Sequence, residues 1–351
     1  MKILVLGATG YVGSRVVPAL IGAGHQVVAA SSSPPAPHRF AWGDQADWVQ
    51  CDVTDTRAVR RALTDVDGIC YLVHSLNQRG FENRDRLGAE TVRDAVAGSG
   101  VRRIVYLSGL VPDVDPSALS AHISSRLEVE EVLEQAASST TTLCSLRAGV
   151  VLGAGSTSFE VIRPLATLLL VQPIPGFLGH QVQPIAVSDV LRAMVEAFED
   201  DHLTGAVDIG GPDVLAYAQL MGEASRASGL LRVRVPIVPV PAPLVGLGTA
   251  ALSAAPFWTV TALIASLRHD MVCRPGHTWV PRDERPLTSV RAAMRLAVGP
   301  VGSSPEAPLP SDPDWTRMRA PILDELHAPA TVRAGASLAL RRVRAVLGLA
   351  G

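Results

Sequence analysis

The chain has 351 residues, a formal net charge of −2, 48% hydrophobic and only 4% aromatic side chains, so it can bury a sizeable core but lacks the basic, stacking-rich surface that nucleic acid requires. Of its 31 basic residues only Lys2 is a lysine, and the rest are arginines, which stay protonated and neither pass protons nor act as amine nucleophiles. A Schiff-base lysine, a phosphate-loop lysine after a glycine turn and a mid-chain tyrosine–lysine pair four residues apart are therefore excluded. Cys51, Cys70, Cys144 and Cys273 have neither disulfide-framework nor metal-ligand spacing, and no metal site is expected.

The apolar run at the N-terminus, Met1 to Leu6, is too short for a signal peptide and leads straight into a glycine-rich turn, which gives a cytoplasmic expectation. Short apolar runs follow at 3–6, 26–30, 48–50, 68–73, 103–107 and 141–146. Between them, segments 11–23, 55–63, 81–98 and 120–137 carry the 3.6-residue period of amphipathic helices. Strands separated by helices predict a doubly wound α/β domain over 1–150, because each right-handed crossover lays its helix over a parallel sheet.

After Gly149 the alternation becomes irregular. Helices are expected at 159–171, 188–198 and 215–228, with strand-like pieces at 183–187 and 206–209, forming a smaller substrate lobe over 151–275. Residues 235–267 form a 33-residue stretch without a formal charge, broken by prolines. It is long enough for the ~20 residues of a membrane span but of poor quality for one, so it is read as a helical segment that packs on the fold or touches a membrane surface peripherally. Residues 276–351 are expected to be a Pro/Gly-rich linker and tail, with an Arg-studded helix at 331–349.

The motif that carries chemistry is Gly7-Ala8-Thr9-Gly10-Tyr11-Val12-Gly13, placed after the first strand and before the first helix. Gly7 allows the tight turn, Gly10 a close approach to a pyrophosphate and Gly13 close helix packing, while the N–H groups and helix dipole attract phosphate. The loop after the second strand reads Ser31-Ser32-Ser33-Pro34, with Arg39 beyond and no carboxylate before Asp44. Hydroxyls and a cation suit a 2′-phosphate better than a free 2′-hydroxyl, so NADP is expected, with NAD as the other candidate. Asp52 and Val53 stand where adenine is contacted, and Asp52 can equally cap the next helix.

Together with Cys51-Asp52-Val53-Thr54-Asp55, Val66-Asp67-Gly68-Ile69-Cys70-Tyr71-Leu72-Val73-His74-Ser75 and Gln183-Pro184-Ile185-Ala186-Val187-Ser188-Asp189-Val190, this loop resembles the atypical short-chain dehydrogenases/reductases of the NmrA-like, NAD(P)H-binding type. The similarity spans roughly 1–230. It implies a Rossmann-type domain with the nicotinamide near the ends of the fourth and fifth strands, hence near Val73, His74, Ser75 and Ser108.

The chain departs from that family where the chemistry should be. The superfamily pairs a tyrosine with a lysine four residues on, whereas Tyr11, Tyr71, Tyr106 and Tyr217 have no such partner. At the expected helix start stands His122-Ile123-Ser124-Ser125-Arg126, with His122 and Arg126 on one helix face. Arg126 can hold ribose hydroxyls or pair with Glu130, and His122 can move a proton or simply be solvated. His74 is a second proton-transfer candidate, Ser108 a polar residue facing the nicotinamide, and Arg147 either a substrate ligand or half of a buried ion pair. Two functions follow: an NADP(H)-dependent oxidoreductase moving hydride to or from a small apolar carbonyl or alkene, or a non-catalytic NADP(H)-sensing regulator or membrane-associated scaffold.

Overall fold

A computed structural model describes residues 1–75, 80–237 and 257–313, with single positions between 245 and 252 and between 316 and 339. Fifteen of the 33 residues of the uncharged segment, all between 238 and 256, and most of the expected helix at 331–349 lie outside the described residues. Among the described residues no helix is long and apolar enough to cross a membrane.

The chain divides into two compact units, each taken by itself. The first comprises 1–149, 187–210 and 272–287. Its centre is a sheet of seven strands: β1 (Lys2–Leu6), β2 (Gln26–Ser31), β3 (Asp47–Gln50), β4 (Gly68–Tyr71), β5 (Arg103–Gly109), β6 (Thr142–Ala148) and β11 (Gly205–Ile209). The order is β3-β2-β1-β4-β5-β6-β11, parallel throughout, the doubly wound arrangement expected. β4 is buried at every position and β5 at all but the last. Helices cover both faces of such strands, so their sequence reads as an unbroken apolar run.

On one face α2 (Thr56–Ala62), α3 (Phe81–Val96) and α4 (Ala121–Glu134) pack on Leu4, Leu6, Ile69, Tyr71 and Ile104. Each fully buried aliphatic side chain there contributes about 1.5–3 kcal/mol. α1 (Gly13–Gly22) and α6 (Val187–Glu199) pack together within the same unit. The helix ends follow local chemistry. Asp55, not Asp52, caps α2, its carboxylate accepting from Arg57 N at 2.9 Å and Ala58 N at 3.2 Å. Ser120 Oγ accepts from Ile123 N at the start of α4. Buried Arg103 on β5 donates to the carbonyls of Ala197, Asp200 and Leu203, satisfying the C-terminal end of α6.

The first unit is not contiguous in sequence. α6 and β11 return to it, and 272–287 is tied down because Arg274 meets buried Asp208 with two side-chain hydrogen bonds while Trp279 Nε1 donates to Glu196. These anchors join residues more than 60 positions apart, so periodicity does not reveal them.

The second unit comprises 150–186, 211–271 and 288–351. It holds three two-stranded sheets: β7 (Val151–Leu152) with β10 (Ile185–Ala186), β9 (Gln181–Val182) with β12 (Leu215–Ala216), and β8 (Val171–Ile174) with β13 (Val233–Pro236). Around them pack α5 (Thr157–Leu168), α7 (Tyr217–Ala227) and α9 (Val290–Ala297), with Phe159, Ala166, Leu220, Met221, Val290 and Met294 in one core. α8 (Phe257–Ser266) contributes Val260 and Ile264 to a smaller cluster with Val161. The helix expected at 159–171 ends at Leu168 because Val171 pairs with Val233, and the first two residues of the helix expected at 215–228 are instead the short strand β12.

Candidate functional site

The site begins with the turn between β1 and α1. Gly7 has φ +91°, a backbone open to glycine and costly for other residues, and a Cβ there would come within 3.3 Å of Leu72. A Cβ at Gly13 would lie 2.1 Å from Gly7 O and 2.8 Å from the backbone of Ala8. No side chain fits in that space. The turn closes through Gly10 N to Gly7 O at 3.0 Å and Ser14 N to Gly10 O at 2.8 Å. Thr9 and Gly10 are exposed, Tyr11 and Val12 half-buried, and no side chain caps α1. Free N–H groups and the positive end of the helix dipole are thus left for an anion, so the turn fits the pyrophosphate of a dinucleotide.

The loop beyond β2 is anchored by a consequence of Pro18. Proline inside α1 has no N–H for the carbonyl four residues back, which is that of Ser14, and Trp42 Nε1 donates to this oxygen at 2.9 Å. Trp42 stacks on Phe40 at 4.8 Å and on Trp48 at 5.3 Å between ring centroids. This aromatic group fixes the far end of the loop that carries Ser32 and Arg39, both exposed. Asp52 turns its carboxylate to Thr54 N and Oγ1, at 3.0 and 2.8 Å, and to Arg84 Nη2 at 3.1 Å. These hydrogen bonds and the Arg84 cation hold its pKa below the ordinary carboxylate value. Val53 is buried in the core beneath α3, where a Cβ on Gly88 would meet it at 2.9 Å.

Past the ends of β4 and β5 the structure gathers polar groups into an otherwise apolar surrounding. His74 follows β4, and His122 comes from the first turn of α4. Their ring centroids are 5.2 Å apart. The third member is Asp85 on α3, a residue that sequence reasoning missed. It is 2% exposed, accepts from Ser75 N at 2.8 Å through Oδ1, and meets His74 Nδ1 at 2.5 Å through Oδ2. One signal of it was present: Asp85 lies on the face of α3 that buries Phe81, Ala89, Val92 and Val96, and an acid among such neighbours needs a partner. His74 Nε2 and His122 Nδ1 are both buried with no hydrogen-bond partner.

Electrostatics sorts these groups. Burial, then the Arg126 cation and then His74, hold His122 well below the ordinary imidazole value of 6.5. His74 is lowered by burial and by Arg126, but Asp85 opposes the shift. Both rings are accordingly neutral near pH 7, each with one nitrogen able to accept a proton. Burial raises the Tyr71 and Tyr106 phenols, which stay protonated and are poor bases.

Arg126 donates from Nη1 to Leu107 O at 2.7 Å, and Tyr106 Oη donates to the carbonyl of Arg126 at 3.3 Å. Glu130 does not pair with Arg126. It accepts from Arg147 Nε at 3.1 Å and Nη2 at 2.8 Å, so Arg147 is half of a largely buried ion pair. Burial raises the Glu130 pKa even against the Arg147 cation that lowers it. Ser108 is buried on β5 beside Tyr106 and Glu130. The structure therefore brings His74, Ser75, Ser108, His122 and Arg126 to the ends of β4 and β5 and the start of α4. Gly7 to Gly13, Ser32, Arg39, Asp52 and Val53 lie along the ends of β1, β2 and β3. Asp189 lies in the first turn of α6, 3.8 Å from Arg192 Nη1.

A family model described as NAD(P)H-binding matches residues 7–145. An uncharacterized protein of Mycobacterium tuberculosis is 26% identical over 270 residues, covering 75% of this chain, which spans only 27% of that protein's length. An epimerase family protein of Bos taurus, SDR39U1, is 25% identical over 257 residues, 70% of this chain and 85% of that protein. Among solved structures, UDP-glucose 4-epimerase from Thermotoga maritima superposes with a TM-score of 0.61 at 18% identity, over 85% of this chain and 97% of that one. The protein gox2253 gives 0.64 at 18% identity, over 85% and 96%. These two share the fold. The family match thus assigns the glycine turn and the parallel sheet over residues 7–145 to an NAD(P)H-binding domain, and the chain is similar to the atypical short-chain dehydrogenase/reductase type.

Proposed function

We propose that the chain is an NADP(H)-dependent oxidoreductase that moves a hydride to or from a small apolar carbonyl or alkene, with His122 in the proton-transfer role that a tyrosine holds in relatives. One observation carries this reading: two neutral imidazoles, each with an unpartnered buried nitrogen, sit 5.2 Å apart at the ends of β4 and β5, where the family's chemistry is expected. A polar atom left without a partner in an apolar surrounding costs about 1–3 kcal/mol, a cost that substrate contact would offset.

A bound nicotinamide nucleotide supplies the hydride donor or acceptor. The Gly7 to Gly13 turn holds the pyrophosphate, Ser32 and Arg39 receive the 2′-phosphate, and Asp52 and Val53 border the adenine. Val73, His74 and Ser75 line the nicotinamide side, Ser108 faces it with its hydroxyl, and Arg126, a fixed cation, takes the ribose-holding role of the lysine. Held neutral near pH 7, His122 has a free lone pair that takes a proton from a substrate hydroxyl in the oxidation direction. In reduction its N–H donates to the carbonyl oxygen and polarises it.

The test is a titration with NADPH and NADH followed by turnover with a panel of carbonyls and activated alkenes. NADPH should bind more tightly, and His122→Ala should keep cofactor affinity while kcat falls roughly 10²- to 10⁴-fold. Full activity in that variant removes the role given to His122. Binding without turnover on any substrate, with unequal affinity for NADP⁺ and NADPH, would establish the sensing function instead.

A further inference from the structure

The carboxylate behind His74 has no part in that reading, yet it is the most deeply buried group of the cluster. Asp85 spends one oxygen on Ser75 N and the other on His74 Nδ1. A carboxylate only accepts, so the proton of this bond belongs to the imidazole, and His74 is fixed with hydrogen on Nδ1 and a lone pair on Nε2. That Nε2 is one of the two unpartnered nitrogens, and the ring carrying the other is its neighbour.

We infer that Asp85 and His74 form a proton reservoir behind His122, with Asp85 as the positioning residue that sets the His74 tautomer and His74 Nε2 as the acceptor. The inference rests on the oxidoreductase reading above. In the oxidation direction the substrate C–H bond breaks as its hydrogen leaves with both electrons for the nicotinamide, the O–H bond breaks as its proton passes to one nitrogen of His122, the carbonyl forms, and the proton on the other His122 nitrogen passes through a bridging water to His74 Nε2. His74 becomes an imidazolium against the Asp85 carboxylate, and charge balances without a further co-reactant. Among the described residues the charged and titratable groups acting on His74 are Asp85 from α3 and His122 and Arg126 from α4. Asp85 is the one that favours a protonated ring, so a proton entering through His122 comes to rest on His74.

Asp85→Asn tests this. The asparagine carbonyl can keep the Ser75 bond while its NH2 faces His74 Nδ1, which must then accept, moving the ring proton to Nε2 and abolishing the acceptor. In other enzymes with an orienting Asp, this exchange preserves geometry and costs about 10⁴ in kcat through the wrong tautomer. The whole chain, labelled with ¹⁵N-histidine and free of cofactor, is observed by two-bond ¹H–¹⁵N correlation, with His74→Gln assigning the signals. The wild type should show His74 protonated at Nδ1, and Asp85→Asn should show it protonated at Nε2, with unchanged NADPH affinity and melting as controls. Turnover should fall at least 100-fold in Asp85→Asn, with the acidic limb of the pH profile for oxidation displaced. Should the tautomer stay the same in the variant, or the tautomer move without any loss of turnover, the reservoir is overturned. A wild type that binds NADPH but converts no substrate overturns the oxidoreductase reading beneath it, while the tautomer measurement still decides whether Asp85 sets the His74 ring. If Asp85→Asn does not fold, Asp85→Glu gives the second reading: the carboxylate is kept, so the Nδ1–H tautomer should persist, and its loss would count against the assignment.

Discussion

The two halves of the proposed site lie at one end of the sheet strands and are built by opposite means. The phosphate half, Gly7 to Gly13, is backbone: its selectivity comes from the absence of side chains, and the contacts at Gly13 leave no room for a Cβ. The chemical half is side chain: an acid from α3, a histidine after β4, and a histidine and an arginine from α4, brought together from residues 74 to 126. A backbone site survives any change that keeps its glycines, whereas a side-chain site can be rebuilt residue by residue. In this chain the first lies within the NAD(P)H-binding family match, and in the second, on the function proposed above, histidine and arginine take the roles of tyrosine and lysine.

Gly13→Val breaks the comparison most sharply. Its Cβ would need space that Gly7 O and Ala8 already occupy, so either the turn opens or the first unit fails to form. NADPH affinity should fall by at least 100-fold, roughly 3 kcal/mol, as read by fluorescence titration, with circular dichroism separating an opened turn from an unfolded chain. If the turn merely opens, the His74–Asp85 tautomer should be untouched. A loss of both would show that the two halves are a single cooperative unit.

How much was legible follows the same division. The strands were readable because burial on both faces makes each an apolar run, and the glycine turn because sterics leave one residue type possible. His122 and Arg126 were readable as a pair because four residues is one helical turn. Asp85 was not read, since one acid on a helix face looks solvated until its face is known to be buried. Spacing offers Glu130 as one of two roles for Arg126, but Arg147 on β6, 17 residues away, reaches it with two hydrogen bonds. A partner across the sheet leaves no trace in local periodicity.

The chemical half should also announce itself in stability against pH. His74 and His122 are both held below 6.5, chiefly by burial. The unfolded chain therefore takes up protons at these residues before the native chain does. Stability contributed by the neutral rings is present above about pH 6.5 and is lost as pH falls through and below that value. Denaturant midpoints should drop between about pH 7 and about pH 5, and the drop should be shallower in a His74→Gln/His122→Gln double variant. His25, lowered by burial and by the N-terminal amine, contributes the same sign, so the difference between proteins is what isolates the pair. An identical slope in both would show that the two rings titrate as they do in solvent.

The smallest effect sharpens the comparison within the phosphate half. Trp42 supplies the hydrogen bond that Pro18 withholds from Ser14 O, and through Phe40 and Trp48 it holds the end of the loop bearing Ser32 and Arg39. Trp42→Phe keeps an aromatic ring but removes the donor, leaving a buried carbonyl unsatisfied at a cost of about 1–3 kcal/mol. Because the pyrophosphate turn itself is untouched, NADH binding should change little, while the preference for NADPH over NADH should narrow as the loop loosens. An equal loss for both nucleotides would place the role of Trp42 in supporting α1 as a whole, and no change in either would mean that the loop is positioned by something other than its tie to Ser14.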